Sequence, residues 1–297
     1  MLRQIKLNDI KDIFVTDYVA NGSFQSLKEN VKEDESGPVI MIRLTDFNKS
    51  WRGPFRCLDL ESFKFLSKSS LEKGDVIISN VGANIGTVFR APDLDKKMTL
   101  GPNSVVLKVS KDAEVIDKDF LYYYFSSPKG QHLLQSISGG SAQPKFNKTD
   151  FRNLLIEIPD LKIQKRFSTI LLSIDKKIEL NQEINETLEE IAKTLFKSWF
   201  IDFDPVRAKA EGRPTGLSKE ISDLFPDSFE ESELGEIPKG WKASQVKDFC
   251  SIIQKGIAPK YTENQSYPVI NQKCIRNLEI NFDGIDPSFF DAWHAGH

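Results

Sequence analysis

Residues 161–200, LKIQKRFSTILLSIDKKIELNQEINETLEEIAKTLFKSWF, decide how this chain is organised. Ile163, Phe167, Ile170, Ile174, Ile178, Ile184, Leu188, Ile191, Leu195 and Trp199 recur at steps of mostly three and four. That spacing puts side chains on one face of a helix. Neither Gly nor Pro interrupts the run, so a single amphipathic helix is expected over 161–200. At about 1.5 Å per residue it extends roughly 60 Å, longer than a small domain needs. Its stripe (Ile174, Ile178, Ile184, Leu188, Ile191, Leu195 and Trp199) is expected to dock other subunits or a second helix. Asn181 and Asn185 fall near the seam. A buried Asn there fixes register in a coiled coil, and a solvent-facing Asn is the plain alternative.

The 297 residues around that helix suggest about two domains. Charged residues make up 28 % and hydrophobic ones 39 %, an ordinary globular composition. No apolar run approaches the roughly 20 residues of a membrane span, and the N-terminus MLRQIKLNDIKDIF lacks the apolar core of a signal peptide. A cytoplasmic protein is therefore expected. Cys57, Cys250 and Cys274 are odd in number and far apart, which fits neither a disulfide framework nor a zinc spacing. The formal net charge of −3 argues against DNA held by bulk charge alone. Much of the acid sits between Leu217 and Glu236, however, and the remainder is near neutral, so a local basic surface is allowed.

Before the helix, residues 1–160 read as β-rich with a few helices. Pro38–Leu44, Gly74–Ser79, the run ending at Phe89, Pro102–Val109 and Leu154–Pro159 are strand-like. Asn21-Gly22 and the Gly82/Gly86 segment are turns. The latter lacks the Lys-Ser/Thr of a phosphate loop and the GxGxxG of a dinucleotide site. Asp119–His132 reads as a helix that Ser127-Pro128 kinks or breaks. Two loops carry chemistry. Residues 45–56 mix Lys49, Arg52 and Arg56 with Trp51 and Phe55, which suits phosphate contact with stacking or base-edge contact. An ordinary surface loop with a tucked-in Trp is the competing reading. Residues 138–151 hold two glycines and Pro144, with Gln143, Lys145, Asn147 and Lys148 as donors, and Gln and Asn are the types that read adenine bidentately. Thr149 is placed to cap a short helix.

Beyond the helix, Pro205 ends helical structure in Asp202-Phe-Asp-Pro-Val-Arg-Ala-Lys209. Residues 201–236 read as an acidic, Pro/Gly-punctuated linker or loosely packed arm. From Gly235 the N-terminal plan faintly repeats: Ile5–Ile10 parallels Lys242–Phe249, and Pro38–Leu44 parallels Pro268–Cys274. DFDP differs from the Asp-Pro-Pro-Tyr loop of amino-methyltransferases: it follows a helix and lacks the second Pro and the stacking aromatic. No P-loop, zinc motif or Ser/His/Asp set stands out, and no catalytic residue, metal ligand or cofactor is assigned.

Together these stretches resemble the DNA-specificity subunit of type I restriction–modification systems. The resemblance rests on Gly74–Ser79 with its following Gly turn, Asp119–Tyr124, Ser138–Ser141 through Phe146–Lys148, and Leu154–Pro159. It rests further on the helix running into DFDPVRA and on the restart Gly235-Glu-Ile-Pro-Lys-Gly-Trp241. It implies an α+β architecture: a mixed α/β target-recognition domain (1–160), a long conserved coiled-coil helix (161–200), the linker (201–236) and an incomplete second recognition domain (237–297). It implies no catalytic centre in the subunit itself. The ligand it implies is double-stranded DNA, with Lys49, Arg52, Arg56, Gln143, Lys145, Asn147 and Lys148 as the expected contacts. The partners it implies are methyltransferase subunits that methylate adenine and a translocase/nuclease subunit, and pairing of two copies through the helix is expected as a corollary of the incomplete second domain. The competing expectations are a coiled-coil interaction protein without a DNA role, an inactive truncated remnant, and a DNA enzyme in its own right, which the missing cofactor motif argues against.

Overall fold

A computed structural model describes residues 2–140, 144–254, 261–262, 270, 274–276, 279–280 and 289–290. The chain divides into two compact units, Met1–Leu188 and Glu189–His297.

The first unit contains β1 (Arg3–Lys6), β2 (Ile13–Asp17), α1 (Phe24–Asn30), β3 (Val39–Ile42), α2 (Leu44–Asn48), β4 (Arg56–Leu58), α3 (Leu60–Phe65) and β5 (Ser70–Leu71). There follow β6 (Val76–Ser79), β7 (Val88–Arg90), β8 (Lys97–Leu100), β9 (Ser104–Val109), α4 (Lys118–Ser126), α5 (Pro128–Ser136), α6 (Lys148–Arg152) and β10 (Leu155–Ile158). The long helix α7 (Leu161–Phe200) starts in this unit. The fold is mixed α/β, with two four-stranded sheets ordered β2-β9-β6-β7 and β4-β3-β8-β5 and a two-stranded β1-β10 ribbon.

Strands β3, β6 and β9 are apolar at nearly every position because both faces of their sheets are covered. Period-two alternation sorts the side chains. Val76, Ile78, Val105 and Leu107 join one core with Leu121 and Phe125 of α4, Leu134 of α5 and Phe151 of α6. Ile77, Val106 and Phe89 point the other way, into a second core with Ile40, Ile42, Met98 and Leu100. The outer face of the second sheet, through Val39 and Met41, packs on Leu27 of α1 and on Leu58 and Leu66. The layers therefore run helices, sheet, sheet, helices. Each fully buried aliphatic side chain contributes about 1.5–3 kcal/mol of transfer free energy.

The helix expected over Asp119–His132 is two helices. Ser127 accepts from Gly130 N (3.2 Å) as an N-cap and Pro128 occupies the first turn of α5. A Cβ on Gly130 would lie 2.1 Å from the Tyr124 carbonyl oxygen, so α5 can start against α4 only with Gly there. The loop expected over 45–56 also departs from the reading, because its first residues form the short helix α2.

Helix α7 docks on the first unit by a face that the apolar periodicity does not mark. Leu161, Gln164, Ser168, Leu171, Leu172 and Asp175 are the buried or half-buried positions of its N-terminal half, again at helical spacing. Gln164 is fully buried. It accepts from Asp117 N (2.9 Å) and donates to the carbonyls of Val115 (3.0 Å) and Pro159 (2.7 Å). Ser168 donates to Asp117 Oδ1 (2.5 Å). About a quarter-turn away, Ile163, Phe167, Ile170, Ile174, Ile178, Ile184 and Leu188 are all 40–56 % exposed. Asn181 and Asn185 are exposed as well.

In the second unit Ile191 and Leu195 continue as exposed positions, but Trp199 does not. Its ring meets Phe225 edge-on (5.8 Å between centroids), so this member of the expected docking stripe is half-buried within its own chain. Residues 201–236, expected as a loose linker, are folded. They hold α8 (Asp204–Ala210), α9 (Lys219–Ser222), β11 (Phe229–Ser232) and the start of β12 (Gly235–Pro238), with Pro205, Val206, Ala208 and Phe225 buried. Phe203 takes a left-handed conformation (φ 56°), and Pro205 opens α8 after α7 has ended. Trp241 of the GEIPKGW restart stacks on Phe200 and meets Phe203 edge-on (6.1 and 5.7 Å). The two motifs thus pack together as one aromatic cluster. Of the proposed repeat, Leu7–Asp9 and Val246–Asp248 are both 3-10 turns. The second pairing, on Pro268–Cys274, lies mostly outside the described residues, as does most of 237–297. Short strands β13 (Tyr261–Thr262), β14 (Ile275–Arg276), β15 (Glu279–Ile280) and β16 (Phe289–Phe290) pair as β13-β16 and β14-β15.

Candidate nucleic-acid interface

Strand register brings the two chemistry-bearing loops to one end of the first unit. In the first sheet Asp17 pairs with Val105, Ser79 with Ser104 and Ile78 with Val88. The end of β2, the end of β6 and the starts of β7 and β9 therefore lie at the same edge. In the second sheet Ile42 pairs with Leu100, and Met41 lies opposite Arg56. Gly101 N donates to the Ile42 carbonyl (2.8 Å) just before the chain passes from β8 into β9. Segments 43–56, 80–87 and 101–103 thus emerge at one end. Segment 139–148 is tied to them: Gly82 N donates to Pro144 O (2.9 Å), Phe146 N to Asn80 O (3.2 Å), and Asn80 N to Asn103 O (3.1 Å). Lys145 and Gly139 exchange two backbone hydrogen bonds, and Lys145 also bridges to Val81.

The expected contact residues divide by what their side chains already hold. Asn147 is the N-cap of α6: its Oδ1 accepts from Asp150 N (2.8 Å) and its Nδ2 donates to Asp150 Oδ2 (2.7 Å). The cap expected at Thr149 is therefore Asn147, and its amide is spent on the fold. Lys148 pairs with Asp17 (2.9 Å), and both are largely buried. Arg56 pairs with Glu33 in a groove that also holds Glu35, an arrangement that already neutralises the guanidinium. Arg52 pairs with Glu186 of α7. Lys49 and Lys145 are exposed and make no side-chain hydrogen bond or ion pair among the described residues. Gln143 lies outside the described residues. Trp51, also at a positive φ (61°), is tucked against Phe89 and Phe47 (6.1 and 5.8 Å), which is the ordinary-loop reading of that ring.

Two features carry no residue-type signal in the sequence. Asn84, at the tip of the β6–β7 turn, and Asn103, at φ 66° between β8 and β9, are exposed at this same end. Their signal in sequence was only turn chemistry. The second feature is Arg90 on β7. Its guanidinium lies 3.7 Å from the Tyr122 ring centroid and sits at ion-pair distance from Asp119 (3.3 Å) and Asp175 (3.5 Å). Tyr123 donates to Asp175 (2.6 Å). Burial, with the carboxylate of Asp175 as the next cause, pushes the Tyr123 phenol up to about 12. This cluster anchors α7 beside the strand that leaves the exposed turn.

Among the described residues no group of three or more His, Cys, Asp or Glu side chains is placed to hold a metal ion, and no helix is long and apolar enough to cross a membrane.

A family model described as the type I restriction modification DNA specificity domain matches residues 5–190. The HindI type I restriction enzyme specificity subunit of Haemophilus influenzae is 34 % identical over 161 residues, covering 53 % of this chain and 34 % of that protein. The MjaIX specificity subunit of Methanocaldococcus jannaschii is 30 % identical over 273 residues, covering 89 % of this chain and 57 % of that protein. The chain thus spans about a third to somewhat over half the length of these relatives. Among solved structures, the type I restriction–modification S subunit from M. genitalium is similar over 90 % of this chain and 59 % of its own, with a TM-score of 0.44 and 13 % identity.

Proposed function

The chain belongs to the family of type I restriction modification DNA specificity domains, and from that premise we propose that it is the DNA-recognition and scaffold subunit of such a system. In this reading it has no catalytic centre of its own. It holds double-stranded DNA and directs adenine methylation by a methyltransferase subunit and restriction by a translocase/nuclease subunit. The observation that carries the reading is the convergence of segments 43–56, 80–87, 101–103 and 139–148 at one end of the paired sheets, with Lys49 and Lys145 exposed there and without a side-chain partner among the described residues. Free cations on positioned loops suit phosphate contact, which fixes register on a duplex.

The scaffold half of the proposal rests on α7. Its polar face is used within the chain, while Ile174, Ile178, Ile184, Leu188, Ile191 and Leu195 remain 44–56 % exposed. A contiguous apolar stripe of that length marks an interaction surface. The methyltransferase subunit and a second long helix are its proposed occupants, and a second copy of the chain supplies such a helix. Co-expression with a type I methyltransferase subunit followed by methylome sequencing tests the function: one new methylated adenine motif is expected, and no new motif overturns it. Light scattering showing only monomer, with and without the methyltransferase, overturns the pairing of copies. A DNA pull-down at low and moderate salt separates this reading from a coiled-coil protein without a DNA role.

A further inference from the structure

We propose that Asn84 and Asn103 are the base-reading side chains of the first unit, with Lys145 as the phosphate anchor beside them; this rests on the DNA-recognition reading above. Of the residues chosen by type and position, Arg52, Arg56, Asn147 and Lys148 spend their polar groups on Glu186, Glu33, Asp150 and Asp17. Breaking such a pair leaves a partner unmatched, at a cost that is largest for the mostly buried Lys148–Asp17 pair and small for the exposed Arg52–Glu186 pair.

Asn84 and Asn103 carry no such cost. Both are exposed, and neither side-chain amide makes a hydrogen bond among the described residues. Their backbones, by contrast, are held. The Asn84 carbonyl accepts from Thr87 N and from Thr87 Oγ1 (3.2 and 2.9 Å), and Gly86 N returns to Ser79 O (2.8 Å), closing the turn. The Asn103 carbonyl accepts from Asn80 N (3.1 Å). The two turns are therefore joined to each other through Asn80, and to the Lys145 segment through the Gly82–Pro144 and Phe146–Asn80 hydrogen bonds. Free side chains on a rigid backbone are what base readout needs, because little ordering entropy is lost on binding.

Small residues surround this place as well. Gly82, at φ 91° beside the tip, would place a Cβ with nothing within 4 Å, and so would Gly139 on the neighbouring segment. Among the described residues, the backbone that pairs with Lys145 at Gly139 and the Gly82 beside its other partner, Val81, are bare on that side. An Asn amide presents a donor and an acceptor together, the pattern that matches the N6 and N7 edge of adenine in the major groove. Each Asn is thus assigned to one position of the recognised sequence, with adenine as the favoured base.

The test is selection from a randomised duplex library by the full chain, alone and with a co-expressed methyltransferase subunit, for the unaltered protein and for Asn84→Ala, Asn103→Ala and Lys145→Ala. Asn84→Ala and Asn103→Ala are each expected to relax preference at one position by roughly tenfold, the discrimination of one good bidentate pair. Their affinity for a fixed unselected duplex should stay within about twofold, since phosphate contacts supply it. Lys145→Ala should weaken every duplex alike and lower the salt slope by about one. Thermal unfolding curves that superimpose show that the variants are folded. A motif selected equally well by both Asn variants overturns the assignment of Asn84 and Asn103 while leaving the recognition reading standing. No motif selected by the unaltered chain in either arm overturns the recognition reading and this one with it.

Discussion

Lys145 and Asn147 stand two positions apart in one loop, and their neighbours give them different work. Asn147 is held by Asp150 at the start of α6, whereas Lys145 meets no side-chain partner among the described residues. Asn147→Ala is expected to cost about 1 kcal/mol of stability, the usual worth of a lost N-cap, read as a lower urea midpoint with the selected DNA motif unchanged. At Tyr123 the expected effect lies in pH. The folded protein holds the phenol proton up to about 12, whereas an unfolded chain releases it near 10. This contribution is therefore complete below about pH 10 and is lost as pH rises through about 12. Tyr123→Phe should remove that part of the alkaline destabilisation, and absorbance titration of tyrosinate should lose one group that titrates near 12. An unchanged alkaline limb would show that neither the burial of Tyr123 nor its bond to Asp175 is maintained in solution.

Among the elements, α7 uses two faces for different ends. Gln164, fully buried with three hydrogen bonds, satisfies the backbone at Val115, Asp117 and Pro159. Gln164→Ala strands those groups, and each buried unsatisfied group costs about 1–3 kcal/mol. A loss of roughly 3 kcal/mol is expected in denaturant unfolding. The apolar stripe behaves oppositely. Ile178 and Ile184 are half-exposed, so Ile178→Glu with Ile184→Glu should leave the unfolding midpoint nearly unchanged, as surface substitutions do. The same pair should abolish self-association and co-purification with the methyltransferase subunit. A double variant that still associates would place the docking surface elsewhere. Periodicity made the stripe easy to see. It was silent on the docking face, because Gln164, Ser168 and Asp175 carry no hydrophobic signal.

At the scale of the whole molecule, a formal net charge of −3 and the proposed DNA binding are reconciled by where the cations without a partner among the described residues lie. Lys49→Ala with Lys145→Ala should lower the slope of log affinity against log salt by about two, while Arg56→Ala should leave it unchanged because Glu33 already neutralises that charge. Fluorescence anisotropy across a salt series reads both. The sequence by itself determined the long helix, most strands of the first unit and the family resemblance, since apolar periods of two and 3.6 and the junction motifs are local properties of the chain. It also marked the two loops that converge. Tertiary structure alone decided which side chains in those loops remain available. Glu33, Asp17 and Glu186 lie 23, 131 and 134 positions from the cations that they engage. No local pattern carries pairings at that distance. The same holds for residues 201–236: their composition is that of a linker, but Trp199 and Trp241 lie on either side of the segment and aromatic packing orders it. Residue types announce what a chain can bind, and long-range contacts determine which of those groups are already bound to the protein itself.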